Sequence, residues 1–281
     1  MVASPATLAE SEPSRNLKFD PSRPDEAFEV LIRLIGSLKA DIVYESYSGV
    51  VFTMLPGAAT TPLLRYHGLT KTHWSTLADG GVRSRRFDVM TFADYKTRAP
   101  VSRFLNPLTA KEVDVPAIAS GPETLDHSRE LMAVGKRAMY APANWQESAT
   151  AIIHGYELAF TYPHPLQPEE WPEASPGKNG FATIATTFEA AKSEVLDRGV
   201  SRARALHTWV NVTSWSPWLH MGQRPGSLLW RGRGVKGLEP EALPQDVVRE
   251  IVQHTANFFG ADEPWRTRRD EFLQYTQSRK N

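Results

Sequence analysis

From position 41 onward apolar and polar residues alternate with a period of two over most of the chain, whereas helical spacing is confined mainly to its two ends. Phe28, Leu31, Ile32, Leu34, Ile35 and Leu38 follow Pro24-Asp-Glu at helical spacing, with Gly36 near the end, and predict a helix of about four turns. Residues 41–57 read as two strands turning near Ser48-Gly49, and further strands are expected at 63–69, 82–94, 151–162, 181–187, 205–213 and 227–231. Helices are expected at 123–138 and 189–198, and two more at 244–259 and 263–279, whose stripes include Val247, Val248, Ile251 and Phe258, then Trp265, Phe272 and Tyr275. Strands in succession without crossover helices imply antiparallel pairing. The expected fold is mainly β (α+β): an antiparallel β-barrel or strongly curled sheet with an N-terminal helix and C-terminal helices. Residues 1–24, rich in Pro, Ser, Ala and Glu, read as a flexible arm or extended strap. Residues 25–281 then form a single β-rich domain with a C-terminal helical segment at 244–279.

Composition narrows the functional classes. Lys plus Arg equals Asp plus Glu at 32 each in 281 residues, so no polyanion such as nucleic acid is expected as the main partner. The chain contains no cysteine, which excludes disulfides, thiolate catalysis and cysteine metal sites. The N-terminal stretch has neither the basic start nor the apolar segment of a secretory signal, and no apolar run approaches the ~20 residues of a membrane span. A cytoplasmic protein is the expectation, with a homodimer as the ordinary oligomeric prior.

The densest chemistry lies in 215–226, which packs Trp215, Trp218, His220, Met221, Arg224, two prolines and two glycines into twelve residues. Pro217 and Pro225 fix φ, while Gly222 and Gly226 permit conformations or close approaches that a side chain would block, so a shaped loop is expected. Arg224 is suited to holding a carboxylate or oxyanion, with His220 as a proton-transfer partner. Equally, Trp215 and Trp218 fit as core aromatics with Arg224 stacked on one of them. Residues 162–172 hold four prolines in eleven residues and restrain His164, which suits general acid–base work or simply capping a neighbouring carbonyl. His67 and His73 flank a turn, yet the eight histidines show no metal-ligand spacing, so no metal is expected. Nor does any stretch match a phosphate-binding loop, a dinucleotide fingerprint or GxSxG, and no cofactor is expected.

Three stretches together resemble a family catalogued as domain of unknown function 1838, found in bacteria and fungi. Asn106-Pro-Leu-Thr-Ala-Lys-Glu-Val113 is similar to its Asn-Pro-x-Thr-Gly-Glu-x-Val element, and Tyr162-Pro-His-Pro-Leu166 to its Tyr-Pro-Asn-Pro-Leu. Residues 215–226 resemble its Trp-x-Pro-Trp-Met-x-Met-Gly-x-Arg-Pro-Gly. The chain departs at Ala110, where the pattern has Gly, and at His164, where it has Asn. Some fungal relatives look like accessory proteins of polyketide pathways. The resemblance therefore implies a cofactor-independent cyclase closing a polyketide-like acyl chain to a lactone or pyrone. His164 or His220 would be the base and Arg224 with Tyr162 the clamp. Trp215, Trp218 and Trp230 would wall the cavity, with Asn106, His67 and Met221 beside them as substrate contacts. The alternative is a non-catalytic barrel that carries an apolar small molecule.

Overall fold

A computed structural model describes residues 17, 19–134, 144–260 and 263–280. Helix α1 (Pro24–Ile35) forms for reasons visible in its sequence: Pro24 opens it, Asp25 and Glu26 complement its N-terminal dipole, and the chain breaks at Gly36. It buries Phe28, Val30, Leu31, Ile32 and Leu34 completely against Val43, Trp74, Ile152 and Phe188 of the sheet. Burying each such side chain is worth about 1.5–3 kcal/mol, so packing rather than propensity holds the helix.

The strands are β1 (Asp41–Met54), β2 (Thr61–Thr76), β3 (Val82–Asp94), β4 (Arg103–Asn106), β5 (Lys111–Asp114), β6 (Ile118–His127), β7 (Trp145–Glu147), β8 (Ala151–Pro163), β9 (Asn179–Ala191), β10 (Ala205–Thr213) and β11 (Ser227–Leu238). Nine of them form one antiparallel sheet in the order β6-β3-β2-β1-β11-β10-β9-β8-β7, and β4 and β5 make a separate ribbon. Helix α2 (Arg129–Val134) follows β6 and α3 (Lys192–Val195) follows β9, while α4 (Gln245–His254) and α5 (Glu271–Ser278) close the chain. Among the described residues β6 and β7 do not meet, so the sheet is curled into a half-barrel rather than closed. No helix among the described residues is long and apolar enough to cross a membrane.

Several expected boundaries shift. Residues 41–54 are one strand, not two. Gly49 serves close approach rather than a turn, because a Cβ there would lie 2.3 Å from the Arg231 carbonyl oxygen and 2.4 Å from the Tyr66 ring. The chain reverses instead at 55–60. The helix expected from 123 gives way to β6 through His127 and the short α2, since 118–127 pairs with β3 across an irregularity at Arg86–Asp88; residues 135–138 of that expectation lie outside the described residues. The helix expected at 189–198 shrinks to α3 because β9 keeps its ladder with β8 through Ala191. The C-terminal helices are likewise shorter than their apolar stripes, at Gln245–His254 and Glu271–Ser278. Leu17 is buried, with its N–H bonded to the Leu196 carbonyl, so the end of the expected arm is tied to the domain.

Alternation divides the sheet into two faces. Val43, Glu45, Tyr47 and Val51 of β1 share one face with Tyr66, Asp88, Phe92, His207, Trp209 and Trp230; Tyr44, Leu69, Phe87 and Val89 take the other, under α4 and the segment around Phe258 and Trp265. The first face is the concave one. Tyr66 and Trp209 sit three strands apart, about 14 Å on a flat sheet, yet their ring centroids are 6.5 Å apart. At one end α1 plugs this face, and at the other the 215–221 loop does so.

Candidate functional site

The floor of the concavity is aromatic because two glycines make room for rings lying against the sheet. A Cβ on Gly232 would stand 2.3 Å from both the Trp209 ring and Tyr66 Oη, and one on Gly68 would stand 2.4 Å from Tyr47 Oη. Trp230 meets Tyr66 at 5.5 Å, and Phe92 links Trp230 to Trp218. On β8 the same face continues through Leu158 and Phe160, which are 38% and 48% exposed, so the trough opens to solvent on that side. Tyr66 Oη and Asn211 Oδ1 are buried on this face without a hydrogen bond of normal geometry.

Polar groups cross the aromatic floor as two connected sets. In the first, Tyr47 Oη donates to Asp88 Oδ1 at 2.8 Å, and Thr70 Oγ1 and Arg86 Nη2 donate to Oδ2 at 2.8 and 3.1 Å. Burial pushes Asp88 up from the usual carboxylate range, against the pull of Arg86, Thr70 and Tyr47. Burial, then the Asp88 charge and hydrogen bond, raise Tyr47 so far that it remains a neutral donor. The second set is a series. Thr186 Oγ1 lies 2.7 Å from His207 Nε2, and His207 Nδ1 lies 2.7 Å from Glu45 Oε1. Nδ1–H donates to the Glu45 carboxylate; in the neutral ring Nε2 accepts from Thr186 O–H, and in the protonated ring Nε2–H donates to Thr186 Oγ1, whose hydroxyl then turns to the Thr208 carbonyl 3.3 Å away. Burial alone would raise Glu45, but the His207 charge and hydrogen bond outweigh it and hold the carboxylate below its ordinary value. Phe188 stacks on the imidazole at 4.2 Å and locks its plane.

The residues singled out in the sequence cluster mostly at the loop end of the trough. Asn106 is 1% exposed; its Nδ2 donates to the Leu219 carbonyl and approaches Met221 Sδ at 3.4 Å, bracing the loop. Trp215 and Trp218 are buried, Trp215 Nε1 donates to the Arg224 carbonyl, and Trp230 Nε1 donates to Thr213 Oγ1. As expected for a shaped loop, Gly222 and Gly226 have φ of 54° and 124°. His164 is buried with Nδ1 2.8 Å from the Leu166 carbonyl and 3.2 Å from the Leu166 N–H. One nitrogen cannot serve both, and the shorter contact makes it the donor to the carbonyl. Burial lowers the His164 pKa, so the ring is neutral near pH 7. Tyr162 stacks beside it at 6.5 Å.

Helix α5 adds a group to this corner. Glu271 is pushed up to about 7 by burial, with Ser216 and Trp218 only partly offsetting it, and its Oε1 and the Trp218 Nε1 both lack a hydrogen bond of normal geometry. His220 stands apart in a crevice of about 240 Å³ with Trp171, Glu173, Tyr275 and Arg279. Its Nε2 lies 3.0 Å from Tyr275 Oη and 2.8 Å from Arg279 Nη2; burial first and Arg279 second lower its pKa. Arg224 is exposed, its guanidinium bonded to the Leu108 carbonyl at 3.2 Å, with no stacked ring among the described residues. His67 lies on the convex face, 2.8 Å from Glu250 of α4. The chain thus brings Tyr162, His164 and Trp218 together but not with His220, Arg224 or His67.

Glu45, Tyr47, Tyr66, Asp88, Thr186 and His207 were not singled out by sequence. The available signal was acidic and imidazole residues at inward positions of alternating strands, where the pattern calls for apolar ones. The family model for a protein of unknown function (DUF1838) matches residues 40–278, and the chain belongs to that family. That span takes in the whole sheet, the 215–226 loop and Glu271. A search of curated proteins returned no match.

Proposed function

We propose that the protein is an acyl-transfer cyclase acting in the concave trough, closing an apolar, polyketide-like acyl thioester to a lactone or pyrone. The observation that carries this reading is the series Thr186–His207–Glu45, with both contacts at 2.7 Å, opening onto an aromatic floor. A hydroxyl on an imidazole that is oriented by a carboxylate is the arrangement that activates an oxygen nucleophile. His207 Nε2 accepts the hydroxyl proton as Thr186 Oγ1 attacks the thioester carbonyl, and the thiol leaves with that proton. A hydroxyl or enol further along the same chain then attacks the Thr186 ester, delivers its proton through His207 to Oγ1, and departs as the ring product. Glu45 stays ionised throughout and stabilises the imidazolium. Tyr66 Oη, buried on the floor without a hydrogen bond of normal geometry, supplies the donor for the carbonyl oxygen as charge develops there. Leu158, Phe160 and Trp209 give the chain an apolar bed.

The test is incubation with linear β-polyketone N-acetylcysteamine thioesters, following free thiol and ring product by mass spectrometry. Wild type releases both; Thr186→Val and Glu45→Gln lower the rate by about 10²-fold or more while binding is retained. Native mass spectrometry that finds the thioester bound tightly, with no turnover by wild type, makes the protein a carrier and overturns the enzymatic reading.

A further inference from the structure

The convex face carries a second cleft, of about 620 Å³, on the opposite side of the sheet from the trough. Pocket volumes for small ligands run from roughly 300 to 1,000 Å³. Its walls are made by Arg65, His67, Arg98, Arg231 and Arg233, with Val50 and Phe52 between them. Register explains the grouping. Val50 of β1 pairs with Arg65 on one side and Arg231 on the other, and Ser48 pairs with His67 and Arg233. Arg65 and Arg231 therefore stand about 10 Å apart across β1, and Arg231 and Arg233 about 7 Å apart along β11.

These guanidinium groups are not neutralised. Arg98, Arg231 and Arg233 are exposed and make no ion pair or side-chain hydrogen bond among the described residues. Arg65 Nε donates to the Tyr95 carbonyl and its guanidinium lies over the Tyr95 ring, which fixes its direction. Glu250 of α4, which approaches the cleft at His67, is held by that imidazole. Arg98 is presented from a tight turn with φ of 63°, held by its N–H bond to the Asp94 carbonyl. In a chain whose charges balance overall, four unopposed guanidiniums around one concavity concentrate positive potential there.

We infer that this convex cleft binds a small molecule bearing two or more phosphates, with Val50 and Phe52 beneath its apolar part. A single carboxylate offers two oxygens to four guanidiniums, whereas a di- or triphosphate offers several to long side chains converging from those positions and suits the fork geometry of arginine. The cleft also touches Gly49, Tyr66 and Gly232 of the trough floor, but none of its arginines belongs to the proton-transfer series assigned to the trough.

Isothermal titration of the full chain with pyrophosphate, ATP and adenosine tests it. Pyrophosphate and ATP bind, adenosine does not under the same conditions, and raising ionic strength weakens both phosphates. The double variant Arg231→Gln/Arg233→Gln, at exposed positions, keeps the wild-type melting temperature and loses affinity by about tenfold or more. Unchanged affinity in that variant overturns the inference, as does absence of binding by both phosphates. Sedimentation with phosphatidylserine vesicles without binding of either soluble phosphate also overturns it and assigns the surface to a membrane.

Discussion

Replacing Glu271 by Gln removes a titrating group while keeping the shape of the side chain, and its effect on stability should depend on pH. The carboxyl is raised from 4.5 to about 7, first by burial. It occupies the first turn of α5, next to the capping Asp270, where the helix dipole favours a carboxylate by about 0.3–1 kcal/mol. The gap between 4.5 and about 7 corresponds to about 3 kcal/mol in the other direction, so burial wins. Because the folded-state value lies above the unfolded one, the protonated form is favoured by folding. Its stability contribution is complete below about pH 4.5 and is lost as pH rises through about 7. Between about pH 5 and 8.5 the wild type should lose about 2.5 kcal/mol through this group alone. The Gln variant loses none of it, and groups common to both proteins cancel in the difference. Urea unfolding of both proteins at the two pH values measures that difference, which should grow in favour of the variant by about 2–3 kcal/mol. A difference that stays constant with pH would refute the buried, raised carboxyl.

Ala110 has φ of 53°, a left-handed conformation that costs a residue with a Cβ about 1 kcal/mol. Ala110→Gly should therefore stabilise the protein by about that amount, read as a rise in melting temperature. Gly232→Ala should cost about 1–3 kcal/mol by overpacking, because its Cβ would meet Trp209 and Tyr66; quenched or shifted tryptophan fluorescence should accompany the loss. His164→Asn should leave stability within about 1 kcal/mol, since an amide can both donate to the Leu166 carbonyl and accept from its N–H. A large loss of cyclisation in that variant, with the fold intact, would return His164 to the chemistry.

Strand positions were legible because alternation is enforced by two differently solvated faces. The expected bounds 82–94 and 205–213 coincide with β3 and β10. What misled was local punctuation read without its partner strand. Ser48-Gly49 looks like a turn, but the glycine exists because Tyr66 and the Arg231 backbone crowd it. Gly121-Pro122 looks like a helix start, but it sits inside β6 opposite β3. The loop chemistry divided similarly. Asn106, Tyr162, His164 and Trp218 were visible as dense, proline-braced stretches and do gather at one end of the trough. The Glu45–His207 contact joins residues 162 apart in sequence, and no spacing rule links them. Glu271 was invisible for the opposite reason: on an amphipathic helix an isolated Glu reads as solvated surface.

The strand order carries a consequence for how the site comes into being. Strands β1, β2, β3 and β6 form one meander from the N-terminal half, and β7 to β11 form another from the C-terminal half; among the described residues the β1–β11 pairing is the strand ladder that joins the two. Each meander closes short loops, whereas the seam joins segments nearly two hundred residues apart and should form late. Glu45 comes from one side of that seam and His207 with Thr186 from the other. Neither half can hold the proton-transfer series by itself, so its assembly is a built-in report that the two halves have docked in register.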